Sequence, residues 1–103
     1  MDLGLSRKKA VIVGASRGIG RAIASLLADE GADLAICARH HGDVDEAVRD
    51  LQRRGGKAFG AAVDVRDKEA YQGWIARAGD HLGGIDIFIP CASAGSGVVG
   101  EEA

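Results

Sequence analysis

The residues of this 103-residue chain whose types and spacing could do chemistry lie in Val13-Gly14-Ala15-Ser16-Arg17-Gly18-Ile19-Gly20. Glycine is abundant, 16 of 103 against a usual share of about 7 %, so three glycines at this spacing carry little weight alone. Their setting supplies the weight. The segment closes a short apolar run, Lys9 to Val13, and opens a stretch with helical periodicity. In such a strand-to-helix turn Gly14 permits the tight reversal and Gly18 lets a pyrophosphate approach the backbone. Gly20 lets the helix pack closely on the strand. The helix's first N–H groups, Ile19 among them, and the positive end of its dipole then face the phosphates. The same loop also reads Gly14-x-Ser16-x-Gly18, the spacing of a nucleophilic serine elbow. That alternative needs an acid and then a histidine downstream. Only His81, inside a helical stretch, comes late enough, and Gly20 and Asp64 would have no role in it.

A second group follows the next apolar run. A site selective for NAD holds the ribose hydroxyls with a carboxylate at the end of the second strand. Here Ala38 stands at that point and Arg39 follows it. A guanidinium so placed takes a 2′-phosphate bidentately, and Arg17 is a second candidate for the same charge. One charge-assisted bond contributes about 1.5–3 kcal/mol, so the expectation is NADP(H) by roughly ten- to hundredfold, with NAD(H) the lesser cofactor. The alternative for Arg39 is a solvated charge. His40 and His41 either add positive potential when protonated or are solvated turn residues. Cys37 and Cys91 sit in or beside apolar runs and read as inert core thiols. No Cys/His spacing suits a metal.

The elements needed to position these residues follow from the pattern of apolar residues. Continuous apolar runs at Lys9–Val13, Leu34–Ala38, Ala58–Val63 and Ile85–Ile89 predict four strands buried on both faces. Between them lie helical stretches. Ile19, Ile23, Leu26 and Leu27 form the first stripe, ended by Gly31. Asp43-x-x-Glu46 suggests a capping box before Val44, Ala47, Val48 and Leu51. Asp67 suggests a cap before Tyr71, Trp74, Ile75, Ala78 and Leu82. The order β-α-β-α-β-α-β with right-handed crossovers predicts an α/β, Rossmann-type doubly wound parallel sheet, strand order 3-2-1-4, with residues 1–103 in one domain. That order separates Cys37 from Cys91 by two strand spacings, roughly 9–10 Å. A disulfide is out of reach at that distance, so both thiols are expected free.

The loop at 13–20 resembles that of the short-chain dehydrogenases/reductases, where Thr more often stands at the place of Val13. Asp64-Val65 resembles that family's adenine-binding pair, and Gly84-Ile85-Asp86-Ile87 the lead into its fourth strand. The resemblance runs from Lys8 to Gly95. It implies a Rossmann fold, a nicotinamide cofactor and hydride transfer to or from a carbonyl or alcohol carbon of a small molecule. After the fourth strand the family usually has Asn-Asn-Ala-Gly, whereas this chain has Pro90-Cys91-Ala92-Ser93-Ala94-Gly95. Ala92 keeps the small residue that lets the cofactor pass, with Cys91 and Ser93 beside it. The family's serine and Tyr-x-x-x-Lys pair are not found: the single tyrosine, Tyr71, is followed four residues later by Ile75. The chain therefore reads as the cofactor-binding front half of an oxidoreductase, incomplete at its C-terminus, with homo-oligomer contacts expected in the other half. The alternative is a dinucleotide-binding module or sensor without catalysis.

Composition narrows the partners. A formal charge of −2 gives no basic field for nucleic acid or an anionic membrane. The longest uncharged run, Ile87 to Gly100, is 14 residues and is interrupted by Pro90, too short to span a bilayer. The N-terminus has no apolar signal core, so a cytoplasmic protein is expected.

Overall fold

All four apolar runs pair as parallel strands in the computed structural model, which describes residues 4–91. The strands are β1 (Lys9–Val13), β2 (Asp33–Ala38), β3 (Ala58–Ala62) and β4 (Ile87–Pro90), and the order across the sheet is β3-β2-β1-β4. Helices α1 (Gly18–Asp29), α2 (His41–Arg53) and α3 (Lys68–Leu82) make the crossovers. This is the expected Rossmann-type arrangement.

Alternation along β1 and β2 divides the core into two layers. Ala10, Ile12, Leu34 and Ile36 face Ala24, Leu27 and Ala28 of α1 and Ala47 and Leu51 of α2. Val11, Val13, Ala35 and Cys37 face Trp74 and Ala78 of α3. Ile12, Leu34, Ile36 and Leu51 are fully enclosed, and burial of each contributes about 1.5–3 kcal/mol. Both central strands are thus covered on both sides, as their unbroken apolar runs require, whereas β3 and β4, at the sheet edges, are only partly buried, contrary to expectation.

The structure corrects three further expectations. The stripe of α1 is Gly20, Ala24, Leu27 and Ala28, with Ile23 half-buried, while Ile19 is 76 % and Leu26 54 % exposed. The helix turns its small residues to the sheet because only they allow the close approach described below. The capping box before α2 does not form. The helix begins at His41 with His40 as N-cap and no side-chain cap, because backbone bonding already starts with Val44 N donating to His40 O at 3.0 Å. Asp43 falls within the first turn, where its charge complements the helix dipole without capping.

The third correction concerns β4, which starts at Ile87 rather than Ile85. Asp86 supplies the link before it, donating its N–H to Lys9 O at 2.7 Å and accepting Lys9 N at Oδ2, 2.9 Å. Pro90 pairs with Val13, yet Cys91 N makes the bond to Val13 O at 2.8 Å, so the ladder asks Pro90 for no donor. The expected Asp67 cap is present, with Oδ1 accepting Ala70 N at 3.2 Å. Tyr71 packs half-buried on the α3-side core, as expected. His81 is exposed, with its ring 4.5 Å from that of Phe59. Both cysteines are free thiols.

Candidate functional site

The turn from β1 into α1 is fastened at one end and open at the other. Gly14 N and Ala15 N both donate to Cys37 O, at 2.8 and 3.3 Å, pinning the start of the loop to the end of β2. Gly14 has φ 82, the left-handed region that favours glycine. Gly20 is required for a different reason. A Cβ there would lie 2.2 Å from Gly14 O and 3.0 Å from Gly14 C, both backbone atoms that cannot yield. The first turn of α1 therefore rests directly on the end of β1.

Beyond that contact the helix end has no side-chain cap among the described residues. Arg17, the N-cap residue, is extended and makes no side-chain cap, and the first turn carries no acidic residue. The N–H groups of Gly18, Ile19 and Gly20 have no acceptor within the helix. Gly18 has φ 66, and a Cβ built on it meets nothing within 4 Å. Uncapped donors beside open backbone at a dipole's positive end suit a phosphate group. Ser16 is half-buried and Arg17 exposed on this side. These residues fit a pyrophosphate. Below them, burial pushes the Cys37 thiol up to about 11, so it stays protonated and inert at neutral pH.

The other candidate residues gather at the same end of the sheet. Arg39, just after β2, is exposed, as are His40 and His41; His41 Nδ1 lies 3.2 Å from Asp45 Oδ2. Asp64 follows β3. Its Oδ1 accepts Arg66 N and Nε, each at 3.0 Å, and its Oδ2 accepts Arg66 Nη2 at 2.8 Å. These bonds, with a smaller contribution from the Arg39 charge, hold its carboxyl at about 2. Arg39 and Asp64 are thus within electrostatic reach of each other. Val65 packs half-buried on the Val11–Val13 core, and Cys91 hangs from Val13 O beside Gly14. Gly14, Ser16, Arg17, Gly18, Ile19, Gly20, Arg39, Asp64, Val65 and Cys91 therefore share the carboxyl ends of the strands. Ala92 and Ser93 lie outside the described residues.

One residue escaped the sequence reading. Arg21 Nη1 donates to Ser16 O at 3.2 Å and its Nη2 to Asp50 Oδ2 at 3.5 Å. Its loop partner is a backbone carbonyl, which leaves no mark in residue type. A cavity of about 380 Å³ opens at the far end of the sheet, among Arg7, Lys9, Asp33, Lys57, Phe59 and His81. Its buried carboxylate, Asp33, already faces Arg7 Nε at 3.6 Å.

The family model for short chain dehydrogenase matches residues 8–102. The chain belongs to this family of oxidoreductases. Among curated relatives, it is 42 % identical over 90 residues to hydroxysteroid dehydrogenase-like protein 2 of Rattus norvegicus, a match covering 81 % of this chain and 17 % of that protein. It is 40 % identical over 88 residues to a glycine betaine reductase of Emericella nidulans, covering 85 % of this chain and 7 % of the relative. Among solved structures, L-sorbose reductase from Gluconobacter frateurii, complexed with NADPH and L-sorbose, aligns with TM-score 0.85 and 39 % identity. That alignment covers 100 % of this chain and 40 % of the reductase. An NAD+-bound xylitol dehydrogenase aligns with TM-score 0.79 and 27 % identity, covering 82 % of this chain and 32 % of the other. The chain spans about a fifth or less of the length of these curated relatives. Among the described residues no helix is long and apolar enough to cross a membrane.

Proposed function

We propose that this chain forms the cofactor-binding part of an NADP(H)-dependent, cytoplasmic oxidoreductase acting on a carbonyl or alcohol carbon of a small molecule. The observation that carries the reading is the first turn of α1: uncapped, free of acidic side chains, and open at Gly18. When bound, the nicotinamide supplies or accepts the hydride. The chain's own residues hold the cofactor. The N–H groups at 18–20 take the pyrophosphate, and Arg39 with Arg17 takes the 2′-phosphate. Asp64, oriented by Arg66, and Val65 would hold the adenine, and Cys91, with Ala92 and Ser93 by their resemblance to the family's sequence, would let the cofactor pass close to the backbone. Preference for NADP(H) rests on Arg39 standing where a ribose-binding carboxylate would repel the 2′-phosphate. The likeness to a reductase complexed with NADPH is in keeping with it.

Arg39→Ala in the intact protein tests the preference. NADPH binding should weaken about ten- to hundredfold with NADH nearly unchanged, as measured by fluorescence titration. Equal losses for both cofactors would show Arg39 to be structural. The alternative is a dinucleotide-binding module without hydride transfer. NADPH binding by the intact protein without its consumption by any carbonyl or alcohol couple would favour that module.

A further inference from the structure

Arg21 belongs to a line of charges that runs from the glycine loop to the second helix. Its Nη1 holds Ser16 O at 3.2 Å and its Nη2 reaches Asp50 Oδ2 at 3.5 Å. Asp50 also accepts Arg54 Nε at 3.2 Å, and Arg54 Nη1 bonds both oxygens of Asp29 on α1, at 3.1 and 3.0 Å. The side chains of Arg21 and Asp50 are only 26 % and 24 % exposed, so their pairing is screened less than a surface pair.

The carbonyl that Arg21 holds is informative. In a planar trans peptide the C=O and N–H point in opposite directions. A guanidinium fixed on Ser16 O therefore turns the Arg17 N–H away from α2, fixing the peptide through which the loop enters α1. No cap restrains this junction otherwise, since Arg17 has no side-chain cap. Asp50 in turn keeps Arg21 from swinging toward a bound anion.

We propose that Arg21, anchored by Asp50, is a positioning residue that fixes the Ser16–Arg17 peptide for the dinucleotide pyrophosphate, so that α2 contributes to cofactor affinity without touching the cofactor. This rests on the phosphate-loop reading above. The role predicts an effect opposite in sign to simple electrostatics. Removing a carboxylate near an anion site should tighten anion binding, whereas removing the anchor of Arg21 weakens it.

The test uses the intact protein, with dissociation constants for NADPH, NADH and adenosine 2′-monophosphate, which lacks the pyrophosphate. Arg21→Ala should weaken NADPH and NADH alike, by about tenfold, and leave adenosine 2′-monophosphate unchanged. Asp50→Ala should weaken both dinucleotides severalfold, and the double variant should lose no more than Arg21→Ala alone. Arg21→Lys, which keeps the charge but cannot fork between two acceptors, should fall between wild type and Arg21→Ala. Asp29→Ala, which breaks the neighbouring contact between α1 and α2, should lower stability without moving these constants. Unchanged or tighter dinucleotide binding in Asp50→Ala overturns the role while leaving the phosphate loop standing. Additive losses in the double variant overturn it as well, because Arg21 would then act independently of Asp50. If Arg21→Ala does not fold, Asp50→Asn carries the same comparison. Wild-type protein that binds neither dinucleotide overturns the loop reading, and this role with it.

Discussion

The turns from β1 into α1 and from β3 into α3 stand at the same end of one sheet and each open a helix, yet they treat their backbone donors differently. At α3, Asp67 caps the helix through Ala70 N, Glu69 adds negative charge to the first turn, and Asp67 N is held by Asp64 O at 2.9 Å. At α1 there is neither side-chain cap nor acid, and among the described residues the loop is held at its start and through Arg21. The third turn meets one of its donors with its own side chain, and the first has no side-chain acceptor for its donors among the described residues. An unmet donor set on a rigid base is therefore more telling than the glycine spacing that accompanies it. The turn into α2 stands between the two, uncapped but with Asp43 in its first turn.

The largest expected effect comes from breaking the base of the first turn. Gly20→Ala puts a Cβ against the Gly14 carbonyl and should cost about 3 kcal/mol in urea unfolding, with dinucleotide binding lost. Wild-type stability in this variant would contradict the close approach of α1 to β1.

Alkaline pH should also weaken the fold through Cys37, whose carbonyl pins the first turn and whose side chain faces α3. The folded Cys37 thiol titrates at about 11 against an ordinary value of 9.0. The unfolded chain therefore loses this proton first, so stability is fully present below pH 9 and falls between pH 9 and 11. The upper limit is about 3 kcal/mol. Urea midpoints measured across that window should fall further for wild type than for Cys37→Ala. Parallel curves would remove the thiol from the account.

A third variant would make the first turn resemble the third. Arg17→Asp supplies the missing cap, so stability without ligand should rise by about 1 kcal/mol. Dinucleotide affinity should drop, because the donors are then occupied and the added charge repels phosphate. Calorimetry and cofactor titration would read both signs, and tighter binding would count against a phosphate role. The smallest effect is expected at Asp67→Ala, which removes the α3 cap at a cost of about 0.5–1 kcal/mol. Cofactor affinity should stay as it was.

Much of this contrast could be read from the sequence. Asp67 announced its cap, the apolar runs placed the strands, and Gly14, Gly18 and Gly20 marked the loop. What escaped shares a physical cause. The stripe on α1 was sought among large side chains, Ile19 and Leu26, whereas close packing on β1 selected Gly20, Ala24 and Ala28 for smallness. Hydrophobic periodicity records size and apolarity and is blind to a surface chosen for its lack of bulk. Arg21 was missed because its partner is the Ser16 carbonyl, and Asp43 misled because backbone bonding had begun at His40. The pairing of Asp64 with Arg66, two residues away, was open to inspection but has no fixed motif.

The sheet order also sets a timetable for folding. Neighbouring strands β1 and β2 pair residues 24 apart in the chain, as at Ala10 and Leu34, and so do β2 and β3 at Leu34 and Ala58. β4 joins β1 at Ala10 and Ile87, 77 residues apart. For a flexible chain, closing the longer loop costs about 1 kcal/mol more in entropy. Because the nearer pairings cost less to close, the first three strands and their two helices are expected to assemble ahead of β4. The two Asp86–Lys9 bonds at one end and the Cys91–Val13 bond at the other then fasten β4 on the side of β1 that β2 leaves vacant.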